Sequence, residues 1–223
     1  ETFDGSAVTG AIPAGLFPVS GAVKDSLFLS TFRNCTGLTG TIPANLFVNI
    51  NGAPKQYMFS RTFRGCTGLT GISAGLFKNI SGAPAKSMYS HTFHDCSNIV
   101  GTLSSDLFGS LNGRTKQYMF YGTFEGCTKL TGDTSSSTVA IPNGLFGTVG
   151  TSTTDETYTF YHTFYGCSAL NGTIGGALFG GLTGAPAEHM FDGTFYGCSN
   201  LTGSIPQNLF GNMTGAPRKY MFE

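Results

Sequence analysis

The fold is decided by a segment that the chain repeats, and residues 31–47, TFRNCTGLTGTIPANLF, are one clean copy of it. Its opening, Thr-Phe-x-x-Cys, occurs six times in 223 residues, with successive cysteines 31, 30, 31, 40 and 31 residues apart. A seventh copy opens the chain with Ser6 in the cysteine column. A unit this short cannot bury its own apolar face and must stack on its neighbours. We therefore expect one repeat domain, residues 1–223, with about seven stacked coils.

Two apolar periodicities alternate within each unit. Between residues 53 and 66 apolar side chains recur at spacings of three and four, as at Phe59 and Phe63, which predicts an amphipathic helix. In residues 38–42 apolar or small residues alternate with threonine, which predicts a short strand that ends at Pro43. The expected fold class is therefore α/β, a leucine-rich-repeat-like solenoid whose coils each contain a strand, a turn and a helix.

The motifs also resemble a known family. Phe-x-x-Cys-x-x-Leu with the Ile-Pro that follows it resembles the bacterial leucine-rich repeats of BspA-like surface proteins, and Leu-Thr-Gly-x-Ile-Pro-x-x-Leu is similar to plant-type leucine-rich repeats. The resemblance covers all seven units, although the period near 31 exceeds the roughly 20–29 residues typical of the class. It implies an extracellular or cell-surface interaction module, and it implies no chemistry.

Composition excludes several partners. The 12 basic and 12 acidic residues leave no net charge, so the chain lacks the basic excess that a nucleic-acid partner requires. No apolar run approaches the length of a membrane span, so we expect no membrane insertion. Charged residues make up 11% of the chain, less than half of the usual fraction, which favours association between copies.

No group of residues predicts catalysis. His91, His94, Asp95 and Cys96 are close in sequence, but the equivalent positions of other units vary freely, so we expect no metal site. The chain lacks a nucleophile elbow and a phosphate-binding loop, so we expect neither an enzyme nor a cofactor. The six cysteines occupy one repeat column, and helical coils 8–10 Å apart would keep them beyond disulfide reach. Buried free thiols are expected.

Two columns of side chains are candidate ligand faces. Threonines on the outer side of the predicted strands would form a ladder that contacts glycans, orders water as ice-binding proteins do, or simply faces solvent. Tyrosines before the Met-Phe pair suit a protein contact or a sugar platform, or else they shield the helix layer. The threonines are Thr39, Thr41, Thr70, Thr102, Thr131, Thr173 and Thr202, and the tyrosines are Tyr57, Tyr118, Tyr158 and Tyr220.

One unit, residues 128–167, is longer than the others because of an insertion at 133–140. Such an insertion is either a tolerated Ser/Thr loop or part of a binding site. Asn-x-Ser/Thr sequons would accept glycans in a host that glycosylates them. They lie at Asn34, Asn79, Asn171, Asn200 and Asn212.

The two ends of the chain match in phase. Reading 221–223 and then 1–3 gives Met-Phe-Glu-Glu-Thr-Phe, with the spacing of the internal Met-Phe-x-x-Thr-Phe. Either copies stack head to tail into a filament, or the chain is an excerpt of a longer repeat protein. The first predicts a non-enzymatic extracellular structural subunit, and the alternative is a cell-surface adhesin that binds a host protein or glycan. The predicted junction comprises Phe3, Leu16, Phe17, Leu209, Phe210, Met221 and Phe222.

Overall fold

The computed structural model describes residues 1–18, 23–132, 139–150 and 156–223. This part of the chain contains ten short strands and no helix. The strands are β1 (Gly10–Ala11), β2 (Leu38–Ile42), β3 (Leu69–Ile72), β4 (Ser81–Gly82), β5 (Ser110–Arg114), β6 (Val139–Ile141), β7 (Thr148–Gly150), β8 (Thr173–Ile174), β9 (Thr183–Gly184) and β10 (Asn212–Met213).

Every strand pairs in parallel with a strand of the neighbouring coil. The pairings form small separate sheets in the orders β1-β2-β3, β4-β5-β7, β6-β8 and β9-β10. Gly10 opposes Leu38, and Ser81 opposes Ser110, so equivalent positions of successive units lie side by side. The strand predicted at residues 38–42 is confirmed, and β4, β5, β7, β9 and β10 mark a second strand position that the sequence analysis did not predict.

The predicted helices are absent, and a ribbon of consecutive turns takes their place. Backbone N–H groups alternate between two acceptors: Thr62 donates to Phe59 within its own coil (3.3 Å), and Phe63 donates to Thr92 of the next coil (2.9 Å). We call these segments the turn ribbons and number their positions one to ten. They are residues 26–35, 57–66, 87–96, 118–127, 158–167 and 189–198.

Left-handed residues explain why a turn ribbon is not a helix. Positions one, five and nine have positive φ, as at Tyr57 (55°), Arg61 (55°) and Gly65 (72°). A positive φ every fourth residue breaks a right-handed helix, and the coil-to-coil hydrogen bonds compensate its cost of about 1–3 kcal/mol per residue. The predicted α/β, leucine-rich-repeat-like solenoid of strand, turn and helix is therefore wrong, because apolar residues four apart fit this ribbon as well as a helix.

Three ladders of aromatic rings fill the core. Each coil contributes one ring to each ladder, and rings in successive coils stack nearly parallel with centroids 5.3–6.2 Å apart. The ladders are Phe28–Phe59–Tyr89–Phe120–Phe160–Phe191–Phe222, Phe3–Phe32–Phe63–Phe93–Phe124–Phe164–Phe195 and Phe17–Phe47–Phe77–Phe108–Phe146–Phe179–Phe210.

Threonine and cysteine side chains tie each ribbon to the preceding coil. The Thr62 hydroxyl oxygen lies 2.8 Å from Phe59 O within its own coil and 2.9 Å from Phe28 O in the coil before, so its single proton is shared between the two carbonyl oxygens. The same double contact recurs at position six of later ribbons. The Cys66 thiol donates to Phe32 O at 2.9 Å. These side chains add a second donor to carbonyl groups that already accept a backbone N–H group, and they link consecutive coils.

All six cysteines are buried and free, as expected, but the reason differs from the predicted one. Because coils pair as parallel strands do, about 4.8 Å apart, equivalent residues are within the range that a disulfide spans. Each thiol is instead directed at a backbone carbonyl of the preceding coil, as Cys96 is at Phe63 O (3.0 Å). The cysteine column therefore serves as a row of hydrogen-bond donors.

The stack keeps its register across the long unit. Residues 133–138 of the insertion and residues 151–155 of the following turn lie outside the described residues. On either side of them, Phe120 N donates to Thr159 O (2.8 Å) and β5 pairs with β7. Within the described ranges, no helix long and apolar enough to cross a membrane is found.

Candidate functional site

A groove of about 700 Å³ lies on the outer side of the turn ribbons. Its lining combines aromatic rings, hydroxyl groups and two cationic side chains, and none of the described lining residues is a carboxylate. The lining residues are Ser26, Leu29, Tyr57, Ser60, Arg61, Lys86, Ser87, Ser90, His91, Tyr118, Tyr121, Tyr158 and Tyr161.

The size of the lining side chains changes along the stack. Position one of the ribbon is serine in the ribbons that begin at 26 and 87 but tyrosine in those that begin at 57, 118 and 158. Position four changes from Ser60 and Ser90 to Tyr121 and Tyr161. We call these serines the floor of the groove and the tyrosines at 118, 121, 158 and 161 its wall. The tyrosine column at position one was predicted from the sequence as a candidate ligand face, and Tyr121 was not.

The wall continues along the stack as an aromatic strip, which we define as Tyr118, Tyr121, Tyr158, Tyr161, His189 and Tyr220. Tyr118 stacks on Tyr158 with centroids 5.2 Å apart, and Tyr158 stacks on His189 at 4.6 Å. Tyr121 meets Tyr161 edge to face at 5.1 Å. The positive φ of Tyr118 (58°) is shared by Ser87 (53°) at the same ribbon position. The left-handed backbone is therefore a property of the repeat and not of the aromatic residues.

The charged side chains that line the groove are cationic, and the carboxylate of Glu125 lies nearby. Arg61 and Lys86 are its cationic side chains. Desolvation, with smaller contributions from the charges of His94, Arg61 and Arg64, lowers the pKa of His91 to about 3, so this imidazole is neutral at pH 7. Desolvation also raises the pKa of Tyr121 and of Tyr161 above the ordinary value of a phenol. The tyrosines therefore stay neutral hydrogen-bonding groups, and the groove favours an anion.

A second cluster lies at the edge of the groove, where His91 and His94 meet Glu125 of the next coil. The nitrogen and oxygen atoms of these three side chains lie within 4.8 Å of one another. His94 Nε2 is 3.7 Å from Glu125 Oε2, and His162 Nδ1 is 3.7 Å from Glu125 Oε1. Burial acts to raise the pKa of Glu125, but the hydrogen bond with His94 and the histidine charges outweigh it and lower the pKa.

Asp95 and Cys96 are close to these histidines in sequence but are not members of the cluster. His94 Nδ1 is 2.9 Å from Asp95 Oδ2 but is not aligned for a hydrogen bond with it. Cys96 is buried in the core. The third member of the cluster, Glu125, is 31 residues beyond His94, so only the coil register brings it there.

The threonines of the predicted strands face outward but do not form one continuous ladder. Thr39, Thr41, Thr70, Thr102 and Thr202 are exposed, and Thr131 and Thr173 are partly buried. The pairing of β2 with β3 shifts register between Gly40 and Thr41, so Thr41 opposes Gly71 and not Thr70. Residues 100–103 are not in a strand. A flat array of hydroxyl groups, which ice binding would need, is interrupted at both places.

Residues of the predicted head-to-tail junction belong to the first and last described coils. Phe3 stacks on Phe32 at 5.4 Å, and Phe17 stacks on Phe47 at 5.8 Å. Leu209 and Met221 are buried, Leu16 and Phe210 are partly buried, and the Phe222 ring is 57% exposed. The phenylalanines of this set thus continue the aromatic ladders, and Leu16, Leu209 and Met221 belong to or pack against the same core.

Three sequon asparagines are exposed, namely Asn34, Asn171 and Asn200. The Asn79 side-chain amide donates to Val48 O at 2.6 Å, and Asn212 lies in β10. The other candidate, the insertion at 133–140, falls outside the described residues except for Val139 and Ala140 at the start of β6.

Comparison of the chain with family models, curated protein sequences and solved structures finds no match. The resemblance to BspA-like surface repeats is therefore carried by the quoted motifs alone, and the helix-free coils do not fit a leucine-rich-repeat solenoid.

Proposed function

We propose that the chain is a non-enzymatic binding module whose groove takes an acidic carbohydrate. One observation carries the proposal: among the described residues, the groove is lined by tyrosine rings, serine hydroxyl groups and the cations Arg61 and Lys86, and by no carboxylate. An extracellular or cell-surface location would suit such a module.

Each part of the groove matches one part of such a ligand. The apolar face of a sugar ring packs on an aromatic ring, and the wall formed by Tyr118, Tyr121, Tyr158 and Tyr161 supplies several. The hydroxyl groups of Ser60, Ser87 and Ser90 lie on the groove floor and suit hydrogen bonds with sugar hydroxyl groups. The guanidinium group of Arg61 and the ammonium group of Lys86 attract a carboxylate or sulfate substituent.

The rigidity of the wall supports recognition without a large ordering cost. Tyr118 and Tyr158 are held by mutual stacking, and both are partly buried. Side chains that are fixed before the ligand arrives lose little conformational entropy on binding. An extended oligosaccharide can follow the stack direction, because the groove crosses the ribbons of several coils.

The test is a direct binding measurement with oligomers of a uronic acid and neutral hexose oligomers of equal length. We expect the acidic oligomer to bind at least about tenfold more tightly, which corresponds to about 1.4 kcal/mol. Tyr118→Ser should weaken binding about tenfold, since it removes one aromatic contact. The substitution suits the backbone because Ser87 occupies the same ribbon position with the same sign of φ.

Tyr220→Ser is the matched control, because Tyr220 occupies the same column outside the groove. Its binding should equal that of the unchanged chain. Equal affinity for both oligomers, or an equal loss in the two variants, would contradict the proposal. Arg61→Ser, for which Ser30 is the precedent in the same ribbon position, should remove the preference for the acidic oligomer while leaving folding intact.

A second candidate is end-to-end association of copies, and the direction of the coil-to-coil hydrogen bonds favours it. Phe28 N donates to Met58 O (2.8 Å), and Phe191 N donates to Met221 O (3.0 Å), so the backbone donors of the turn ribbons point toward the next coil. Any further coil must therefore be added head to tail, an arrangement that builds filaments and not closed dimers. The exposed Phe222 ring offers a surface on which the aromatic ladder can continue.

Light scattering over a range of concentrations tests this association. The proposal expects the mass of the particles to grow with concentration, and Phe222→Glu should reduce that growth. Val100→Glu, at an exposed position in the middle of the stack, serves as the control. A mass equal to one chain at all concentrations would overturn the second candidate and leave the first untouched.

A further inference from the structure

We propose that His91, His94 and Glu125 form a binding site for a divalent transition-metal ion, with Zn²⁺ as the best fit. Two imidazoles and a carboxylate are a ligand set that zinc commonly uses, with an open position for water. The inference rests on the geometry of this cluster and does not depend on the groove binding a carbohydrate.

The three side chains converge because of the coil register. His91 and His94 are at positions five and eight of one ribbon, and Glu125 is at position eight of the next. Their ligand atoms already lie within 4.8 Å of one another. Metal–ligand distances of about 2.0–2.1 Å in a tetrahedral site place ligand atoms about 3.3 Å apart. Side-chain rotations that move the ligand atoms by about 1 Å therefore close the site.

The absence of a side chain at Gly122 makes room for this convergence. Gly122 is at position five of the ribbon 118–127, the position that His91 occupies in the ribbon before it. A Cβ atom at Gly122 would lie 2.7 Å from Glu125 Oε2 and 3.1 Å from His91 Nε2. The same two atoms therefore approach one another over the bare backbone, in the space that a larger residue would occupy.

His91 is already oriented as a ligand. It is 8% exposed, and its Nδ1 lies 2.9 Å from the Ser90 hydroxyl oxygen. In the tautomer whose Nδ1–H donates to Ser90 Oγ, Nε2 carries the lone pair that a metal ion would bind. A second hydrogen bond of this kind fixes the tautomer in most histidine metal sites. The rings of His91 and His94 are tilted by 48° with centroids 5.1 Å apart, so they converge and do not stack.

The charges around the site are mixed. Glu125 supplies the negative charge, and Asp95 adds a second carboxylate beside His94. Arg61 and Arg64 of the preceding coil add positive potential at His91, which weakens cation binding. His162 contacts the other carboxylate oxygen of Glu125 and holds that side chain in place. Softer, imidazole-binding ions are therefore favoured over Ca²⁺ or Mg²⁺, which require more oxygen ligands.

The test is calorimetric titration of the metal-stripped chain with Zn²⁺. We expect one equivalent to bind, and we expect His94→Ala and Glu125→Gln each to weaken binding by about tenfold or more. Ser90→Ala should weaken zinc binding about tenfold, the effect typical of losing a contact that orients a metal ligand. Arg64→Gln should strengthen binding by a few fold, because it removes a repelling charge. Circular dichroism shows whether each variant keeps the native fold.

His189→Ala is the matched control, a histidine of the aromatic strip outside the cluster, and it should leave zinc binding unchanged. The Co²⁺ complex provides a second readout, since a site of nitrogen and oxygen ligands lacks the thiolate-to-cobalt charge-transfer absorption that cysteine ligation produces. Absence of one-site binding, thiolate absorption from the core cysteines, or equal binding by the unchanged chain and His94→Ala would overturn the inference.

Discussion

On their inner side the turn ribbons carry the same residue types in coil after coil, whereas on their outer side the same ribbons carry serine, tyrosine, histidine, arginine or glycine. The inner positions hold the aromatic ladders and the Thr and Cys hydrogen-bond donors. The outer positions include the groove, the aromatic strip and the histidine cluster. One backbone conformation thus serves two purposes, and side chains that do not contact the next coil through the core are free to vary.

The largest expected effect concerns the buried thiols. Burial raises the pKa of Cys66 and Cys198 to about 12 and those of Cys96, Cys127 and Cys167 well above the ordinary value. Since the folded chain holds these protons more tightly than the unfolded chain, the stabilisation is complete below pH about 9 and is lost as pH rises toward 12. Each thiol changes the free energy of unfolding by about 1.4 kcal/mol per pH unit in that window.

Urea unfolding at a series of alkaline pH values measures this effect. Cys66→Ser should reduce the slope of stability against pH by the contribution of one thiol, because the serine hydroxyl does not titrate there. A slope that is the same in this variant would show that the inner cysteines are not responsible.

The next effect concerns the aromatic ladders. Phe93→Ala removes a fully buried ring that stacks on Phe63 at 5.7 Å and on Phe124 at 5.4 Å, and it should lower the free energy of unfolding by about 3–5 kcal/mol. Denaturant unfolding measures the loss. Tyr89→Phe is the control, because other coils carry phenylalanine at that position, and it should change stability by less than about 1 kcal/mol.

A smaller effect is expected at the threonine column. Thr92→Val keeps the shape of the side chain but removes a hydroxyl whose oxygen lies 2.8 Å from Tyr89 O and 2.9 Å from Phe59 O. The expected loss is about 1–1.5 kcal/mol, because the single hydroxyl proton is shared between the two carbonyl oxygens. Thr92→Ser keeps the hydroxyl and should be less destabilising in the same denaturation experiment. The reverse order would show that methyl packing, and not hydrogen bonding, holds this column.

The smallest effect is expected on the outer side. Tyr158→Ser removes a partly buried ring of the aromatic strip, and it should change the free energy of unfolding by no more than about 1 kcal/mol. Serine has a precedent at this ribbon position in Ser26 and Ser87, which also have positive φ. A loss comparable to that of Phe93→Ala would remove the distinction between the inner and outer sides.

Much of the architecture could be predicted from the sequence, because the repeat itself is visible in it. The stacking of units, the strand at residues 38–42 and the buried free cysteines all follow from the repeated columns. The helix prediction failed for a physical reason. Apolar residues four apart, such as Phe59 and Phe63, fit an ideal helix over two turns and a turn ribbon equally well. Tyrosine and arginine rarely adopt a positive φ, so the left-handed conformations of Tyr57 and Arg61 could not be predicted from the residue types.

The candidate sites were predicted less completely. The position-one tyrosines were recognised in the sequence, and the groove beside them required the register of serines and tyrosines across several coils. His91 and His94 were recognised as neighbours, and the repeat columns align Glu125 with His94, since both are at position eight. The variation in this column was interpreted as evidence against a metal site, and the spacing between adjacent coils that brings Glu125 to the histidines was not predicted.

The register that persists across the long unit has a practical consequence for protein engineering. The coils before and after it pair as the others do although their cysteines are 40 residues apart. The additional residues of the long unit therefore do not change the alignment of the coils on either side. A peptide epitope or a small tag grafted between Gly132 and Val139 should be displayed without disturbing neighbouring coils. Whole coils with chosen outer residues could in the same way serve as interchangeable cassettes.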